Sequence, residues 1–449
     1  MRSRSRFISF QLFNPLLRSK SMMPLDRTIQ PELFPVQHVE LNIPEHFRLN
    51  NGIPVWYLNL GSQDVLRVEF IFPAGTACHE NQLVPSFANS MLQEGTRQKS
   101  AAEIADAIDK YGAFLELDTE KDYAFVTLYT LKRYYNETLP MVIEMIGEAN
   151  FPEREWNIQL SNRLDSYRIN SRKVSFLASK GFQELLFSGT PYGAKFSEES
   201  YTSAKRSDVL EFYGKNYAWS RAMLMLSGKV DESVIESTKR IVGALQFNEV
   251  QAEPASSWPE ASVPSERLHF IERTDAIQSA LRIGRKMFNR NHPDFFGMRI
   301  LSTVLGGYFG SRLMANIRED KGYTYGIGSG MMSFKNDGWF YISTEVGADV
   351  TNDALKEIYH ELEVLRNELI PADELELVRN YMLGSLLKSF DGPFEQIDRY
   401  KAVVLFGVDE GYQARFTEAI KNLDASALRT LAQTYLQEKD LLELVVGKK

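Results

Sequence analysis

The chain of 449 residues is short of cysteine, of paired histidines and of long apolar runs, and each shortage closes off a class of protein. A single cysteine, Cys78, excludes an intrachain disulfide and a thiolate metal cluster. It reads as a small, half-buried core residue. No run of about eighteen apolar residues occurs, so no transmembrane helix is expected. The balance of 51 Lys and Arg against 59 Asp and Glu leaves a net charge of −8. That argues against nucleic acid as a main partner, because binding phosphates needs a basic surface. The six histidines are His38, His46, His79, His269, His292 and His360, and no two lie four residues apart. His79-Glu80 and His360-Glu361 each begin a His-Glu-x-x-His order without its second histidine and read as surface polar residues. The phosphate-binding loop, the Gly-x-Ser-x-Gly elbow and Cys-x-x-Cys are absent.

What is present is ordinary globular material, 44% apolar and 24% charged, and too long for one hydrophobic core. Residues 1–23, "MRSRSRFISFQLFNPLLRSKSMM", are basic, rich in serine and free of acid, as in a mitochondrial presequence. A secretory signal fits less well, because Gln11, Asn14 and Pro15 interrupt the apolar stretch. The preferred reading starts the protein at Met22 or Met23, with residues 1–35 an extended or disordered lead. Near the middle, "FNEVQAEPASSWPEASVPSERLHF" (residues 247–270) carries Pro254, Pro259 and Pro264 without helical or strand period. A linker over 247–266 is expected between a domain at 36–246 and another at 267–449.

The two sides of that linker read as repeats. "SAAEIADAIDKYGAFLELDTEKDYAFVTLY" runs helix, glycine, strand, turn, strand, with a capping box at Ser100 and Glu103 and a helix stop at Gly112. The strands are expected at 113–118 and 123–130. "SRLMANIREDKGYTYGIGSGMMSFKNDGWFYISTEV" repeats the order, with Lys321-Gly322 at the place of Lys110-Tyr111-Gly112. Each half continues with a helix and then a Pro-started helix, at Pro152 and Pro371. An α+β fold follows: two duplicated domains, each a mainly antiparallel sheet with helices on one face.

One helix is peculiar. In "VPSFANSMLQEGT" (84–96), Val84, Phe87, Ala88, Met91 and Leu92 form an apolar stripe. Ser86, Asn89 and Ser90, also at i, i+3 and i+4, are expected to lie over one spot on the other face.

At this point the sequence resembles the M16 metallopeptidases, the pitrilysin, insulin-degrading and mitochondrial processing peptidase family. The resemblance runs through "LNNGIPVWYLN", "FIFPAGT" and "LGGYFGSRLMANIREDKGYTYGIGS" and covers nearly all of the chain after residue 40. In active relatives the helix matching 84–96 carries His-x-x-Glu-His, which binds zinc and activates water. Here the resemblance puts Ser86 and Ser90 at the histidines and Asn89 at the glutamate. A third ligand would fall within "NRLDS" (162–166), where Asp165 is the only carboxylate. The resemblance therefore implies no metal site in this chain.

A second family feature is retained in type and spacing. Arg318 and Tyr325, seven residues apart, match a pair that holds substrate carbonyls beside the cleavage point. Guanidinium and phenol are donors suited to that task. The plainer alternative makes Arg318 a helix cap and Tyr325 a core strand aromatic. Tyr323 and Arg312 are weaker candidates. The resemblance implies a non-catalytic, substrate-binding subunit that pairs with a zinc-bearing M16 homologue around an unfolded peptide, the zinc belonging to the partner. Three other readings compete. One is a structural module like the core subunits of the respiratory bc1 complex. Another is the α-chain of mitochondrial processing peptidase, which carries a long glycine-rich loop for which "LGGYFGSRL" has no room. The last is a lone active peptidase, which would need a zinc site of its own. The cytoplasm is the expected compartment, with the periplasm and the mitochondrial matrix as alternatives.

Overall fold

The computed structural model describes residue 28 and residues 41–247, 258–422 and 424–449. The reading of residues 1–35, residue 28 apart, and half of the 247–266 linker (248–257) fall outside the described residues.

The strands are β1 Glu45–Arg48, β2 Pro54–Asn59, β3 Val65–Phe72, β4 Phe114–Thr119, β5 Ala124–Leu131 and β6 Met223–Gly228 in the first half. The second half supplies β7 Leu268–Glu272, β8 Gln278–Met287, β9 Thr324–Ser333, β10 Gly338–Gly347 and β11 Leu442–Gly447. The first sheet has the order β1-β2-β6-β3-β5-β4 and the second β7-β11-β8-β10-β9. Apart from β1 the two orders superpose strand for strand. Only β2–β6 and β7–β11 run parallel; the other pairs are antiparallel. A repeated order with a repeated parallel pair is the structural form of the duplication legible in the sequence.

Local signals act as expected. Ser100 and Glu103 close a capping box on helix Ala101–Asp109. Gly112 and Gly322, at equivalent turns into β4 and β9, have φ of +59° and +68°, a region that favours glycine. Pro152 and Pro371 precede helices Glu153–Asn170 and Ala372–Lys388. Two local expectations need correction. The helix read over 84–96 ends at Ser90 and passes into a 3-10 turn, Met91–Gln93. Cys78 lies exposed in the turn Thr76–Cys78 rather than half-buried in the core.

Strand alternation divides the apolar residues of each sheet between two faces. In the first sheet Val55, Val68, Phe70, Phe72, Val126 and Leu224 face the half's own helices, including Phe87 of helix Leu83–Ser90. The opposite face, with Leu58, Ile71, Phe125 and Met225, is covered by Ile397 and Leu405 of helix Pro393–Phe406. In the second sheet Ala280, Leu442, Leu444 and Val446 are covered by Ala178, Phe182 and Leu186 of helix Val174–Leu186. Each half thus lends one helix to the far face of the other half's sheet.

Buried charge fastens the first exchange. Arg67 on β3 donates to both Asp398 oxygens, at 2.8 and 2.6 Å, and to Glu69 at 2.9 Å. Lys401 reaches Glu69 at 2.9 Å. In the second exchange, Arg282 on β8 donates to Ser179 Oγ at 3.0 Å.

Candidate functional site

Helix Leu83–Ser90 is held by its apolar stripe: Val84, Phe87 and Ala88 are fully buried. Helix Glu153–Asn170 lies beside it, with the Trp156 ring 4.7 Å from Phe87. One turn further along, Gln159 and Arg163, spaced i and i+4, face Ser86 and Ser90, which have the same spacing. The Arg163 guanidinium donates to Ser86 Oγ at 3.0 Å and to Ser90 Oγ. It also sits 4.2 Å from the Phe87 ring centroid, in cation–π range. Ser90 donates to Gln159 Oε1 at 3.3 Å, and Gln159 donates to Glu94 at 2.7 Å. Burial lowers the Arg163 pKa, yet guanidinium keeps its proton in proteins. Burial also raises the Glu94 carboxyl, against the lowering effect of Gln159.

The three polar residues do not share one point. Asn89 is fully buried and turns to the β4–β5 hairpin, donating to the carbonyls of Asp118 (2.6 Å) and Phe125 (3.2 Å). Its own oxygen has no partner. Asp165, the only carboxylate of the 162–166 window, points away and pairs with Arg168 at 3.5 Å. The residue of that window facing the serines is Arg163. A search for a carboxylate ligand passes over it, although its i+4 relation to Gln159 was visible.

This arrangement does not fit zinc. Zinc needs imidazole, thiolate or carboxylate donors. Here two neutral hydroxyls meet a fixed positive charge, which a metal ion at that point would have to displace. Among the described residues no three His, Cys, Asp or Glu side chains are grouped to hold a metal ion.

Arg318 and Tyr325 lie in the second half. Arg318 belongs to a π-helical segment, Met314–Asp320, where an ordinary helix was expected; such segments are frequent at functional sites. Its guanidinium stacks 4.4 Å from the ring of Phe309, which is 63% exposed. Tyr325 is on β9, the outer strand of the sheet. The β9–β10 register shifts there: Thr324 pairs with Val346 and Ile327 with Thr344, so Tyr325 and Gly326 oppose Glu345 alone. Such a bulge redirects a side chain. Tyr325 is 94% exposed, so it is not a core aromatic. Arg312 is committed elsewhere, in a two-pronged pair with Glu374 at 2.8 Å on each prong. Tyr323 is half-buried just ahead of the strand. Among the described residues no hydrogen bond links Arg318 or Tyr325 to the Ser86–Ser90 group.

Fold and site together define a class: a duplicated α+β chain whose helix Leu83–Ser90 meets an arginine at two serines, with Arg318 and an exposed Tyr325 on the other half. Residues 203–382 match the family described as "Peptidase M16 inactive domain". The chain is 23% identical over 318 residues to a Bacillus subtilis protein named "Uncharacterized zinc protease YmxG", covering 70% of this chain and 76% of that one. It is 21% identical over 422 residues to a Helicobacter pylori protein named "Non-peptidase homolog YmxG", covering 92% and 94%. The crystal structure of a peptidase M16 inactive domain from Pseudomonas fluorescens superposes with a TM-score of 0.81 at 21% identity, covering 90% of this chain and 98% of that one. Residues 203–382 thus belong with the M16 inactive domains, and the chain as a whole has the fold of these proteins and carries no His-x-x-Glu-His.

Proposed function

We propose that this chain is the non-catalytic, substrate-binding subunit of a heterodimeric M16 zinc metallopeptidase. Its partner is a homologue carrying His-x-x-Glu-His, and zinc resides in that partner. This chain supplies Arg318 and Tyr325, which hold carbonyl oxygens of an unfolded peptide next to the partner's zinc. The observation that carries the reading is the exposure of Tyr325. A phenol aimed into solvent from a bulge contributes little to packing, and its hydroxyl remains available to an incoming carbonyl.

The test uses the heterodimer formed by co-expression with a zinc-motif homologue, expected to bury at least the standard ~1,600 Å². Tyr325→Phe removes one hydroxyl donor. If that donor tightens on the developing oxyanion, kcat falls by up to ~100-fold or more, the effect of a lost oxyanion donor. Arg318→Ala weakens peptide binding as well. Zinc content and assembly stay normal in both. Wild-type cleavage rates in both variants would make the chain a scaffold. Separate elution of the two chains at micromolar concentration would reject the heterodimer.

A further inference from the structure

Beside the Arg163 site, a cavity of about 230 Å³ opens between helix Leu83–Ser90, helix Val174–Leu186 and the 191–196 segment. Ser86, which accepts from Arg163, forms part of its wall, and two lysines enter it. Lys121, from the β4–β5 turn, donates to Gln82 Oε1 at 3.1 Å and to the Tyr192 carbonyl at 3.5 Å. Lys180 donates to the Phe196 carbonyl at 2.7 Å, and its ammonium lies 3.2 Å from the Phe196 ring centroid. An ammonium carries three donors. Lys121 keeps one proton for the cavity, while the Lys180 ammonium also faces the rings of Tyr167 and Phe176, at 5.0 and 5.2 Å.

The acids nearby are already engaged. Glu184, the only carboxylate on the wall, accepts from the Phe196 amide at 3.2 Å. Asp122 accepts from the Tyr192 hydroxyl at 2.5 Å and from the Lys335 amide at 2.9 Å. Burial presses Lys121 down to about 8 and Lys180 down to about 7, the second pushed further by the first. Asp122 acts on Lys121 from outside the cavity and Glu184 acts on Lys180 from its wall, each partly offsetting the burial. On the cavity wall itself two lysines stand against one glutamate, which leaves room for a monoanion, and the volume suits a side chain or a chain end rather than a larger molecule.

We infer that this cavity, lined by Lys121 and Lys180 next to Arg163, is a binding site for a carboxylate of a bound peptide. The inference rests on the reading of the chain as a peptide-binding subunit. The carboxylate comes from the peptide's C-terminus or from an acidic side chain.

The first experiment needs no peptide. The full chain, labelled with ¹³C at lysine Cε, is titrated with sodium acetate against sodium chloride at equal ionic strength. Lys121 and Lys180 should shift together and saturate with acetate alone. Lys180→Met, which keeps the aliphatic packing on Phe196, should abolish the Lys121 shift, and Lys121→Met the reverse. No saturable shift beyond chloride overturns the site.

The second experiment measures binding of a fluorescent nonapeptide lacking acidic residues, made as the free acid, as the C-terminal amide, and as the amide with one internal glutamate. Loss of a charge-assisted hydrogen bond weakens binding about tenfold or more. The free acid should outbind the plain amide by that factor if the terminus is the ligand. The glutamate peptide should do so if a side chain is. Equal binding of all three overturns carboxylate recognition and leaves peptide binding standing. Binding of none, with acetate still saturating, overturns the peptide reading itself.

Discussion

Arg163 provides the sharpest test of how this helix pair differs from a metal site. Replacing Ser86 and Ser90 by histidine restores two ligands four residues apart on one helix face. The structure predicts that this alone fails. A guanidinium nitrogen lies 3.0 Å from Ser86 Oγ, so a zinc ion held by the new imidazoles would sit close to a fixed positive charge. At about 4 Å, with an effective dielectric constant of about 20, a double and a single positive charge repel by ~8 kcal/mol. Half of that, after the arginine shifts, is still about three powers of ten in affinity. Adding Arg163→Glu removes the repulsion and supplies a third ligand from the neighbouring helix. Asn89 is best left alone, because a carboxylate in its place would face the carbonyls of Asp118 and Phe125. The assay is zinc competition against a fluorescent chelator, with thermal melts to show that both variants are folded. The Ser86→His, Ser90→His protein should bind at least ~1,000-fold more weakly than the same protein with Arg163→Glu. Equal affinities would refute the placement of Arg163 against Ser86 and Ser90.

Further outcomes follow from the same geometry. The wild-type chain, purified alone, should carry no stoichiometric zinc by elemental analysis, since Ser86, Asn89 and Ser90 are not zinc ligands. Asp398→Asn should destabilise by about 2–3 kcal/mol in urea unfolding, because it breaks the two-pronged bond that pairs buried Arg67 with helix Pro393–Phe406. The same carboxyl gives a pH signature. Burial works to raise it, but the Arg67 hydrogen bonds and Lys401 outweigh that and hold it below its ordinary value. Its stabilisation is therefore complete above about pH 4, the unfolded value, and is lost as pH falls through the lower folded value. Wild-type and Asp398→Asn should converge in stability in that acid range. Tyr325→Phe should leave the melting midpoint of the isolated chain unchanged, within the ~0.5 kcal/mol usual for surface substitutions. A large loss would return Tyr325 to a structural role.

Much of the fold was legible in order along the chain because its signals are local. Ser100 with Glu103, Gly112 and Gly322 with positive φ, and Pro152 and Pro371 before their helices mark element ends by backbone chemistry that neighbours alone decide. That Leu83–Ser90 offers no zinc ligands was equally plain, since zinc ligands are fixed residue types and serine and asparagine are not among them. Other features depend on elements far apart in sequence, and no local pattern carries them. That helices Val174–Leu186 and Pro393–Phe406 each cover the other half's sheet follows from which apolar faces remain open once both sheets exist. That Asn89 turns from Ser86 and Ser90 depends on two hairpin carbonyls within its reach. A bulge against β10 turns Tyr325 outward, where strand alternation would have allowed a core position. The sequence by itself determined that helix Leu83–Ser90 carries no zinc-ligand residue types. Only tertiary packing, by bringing Glu153–Asn170 alongside, decided that a guanidinium would stand between the two serines.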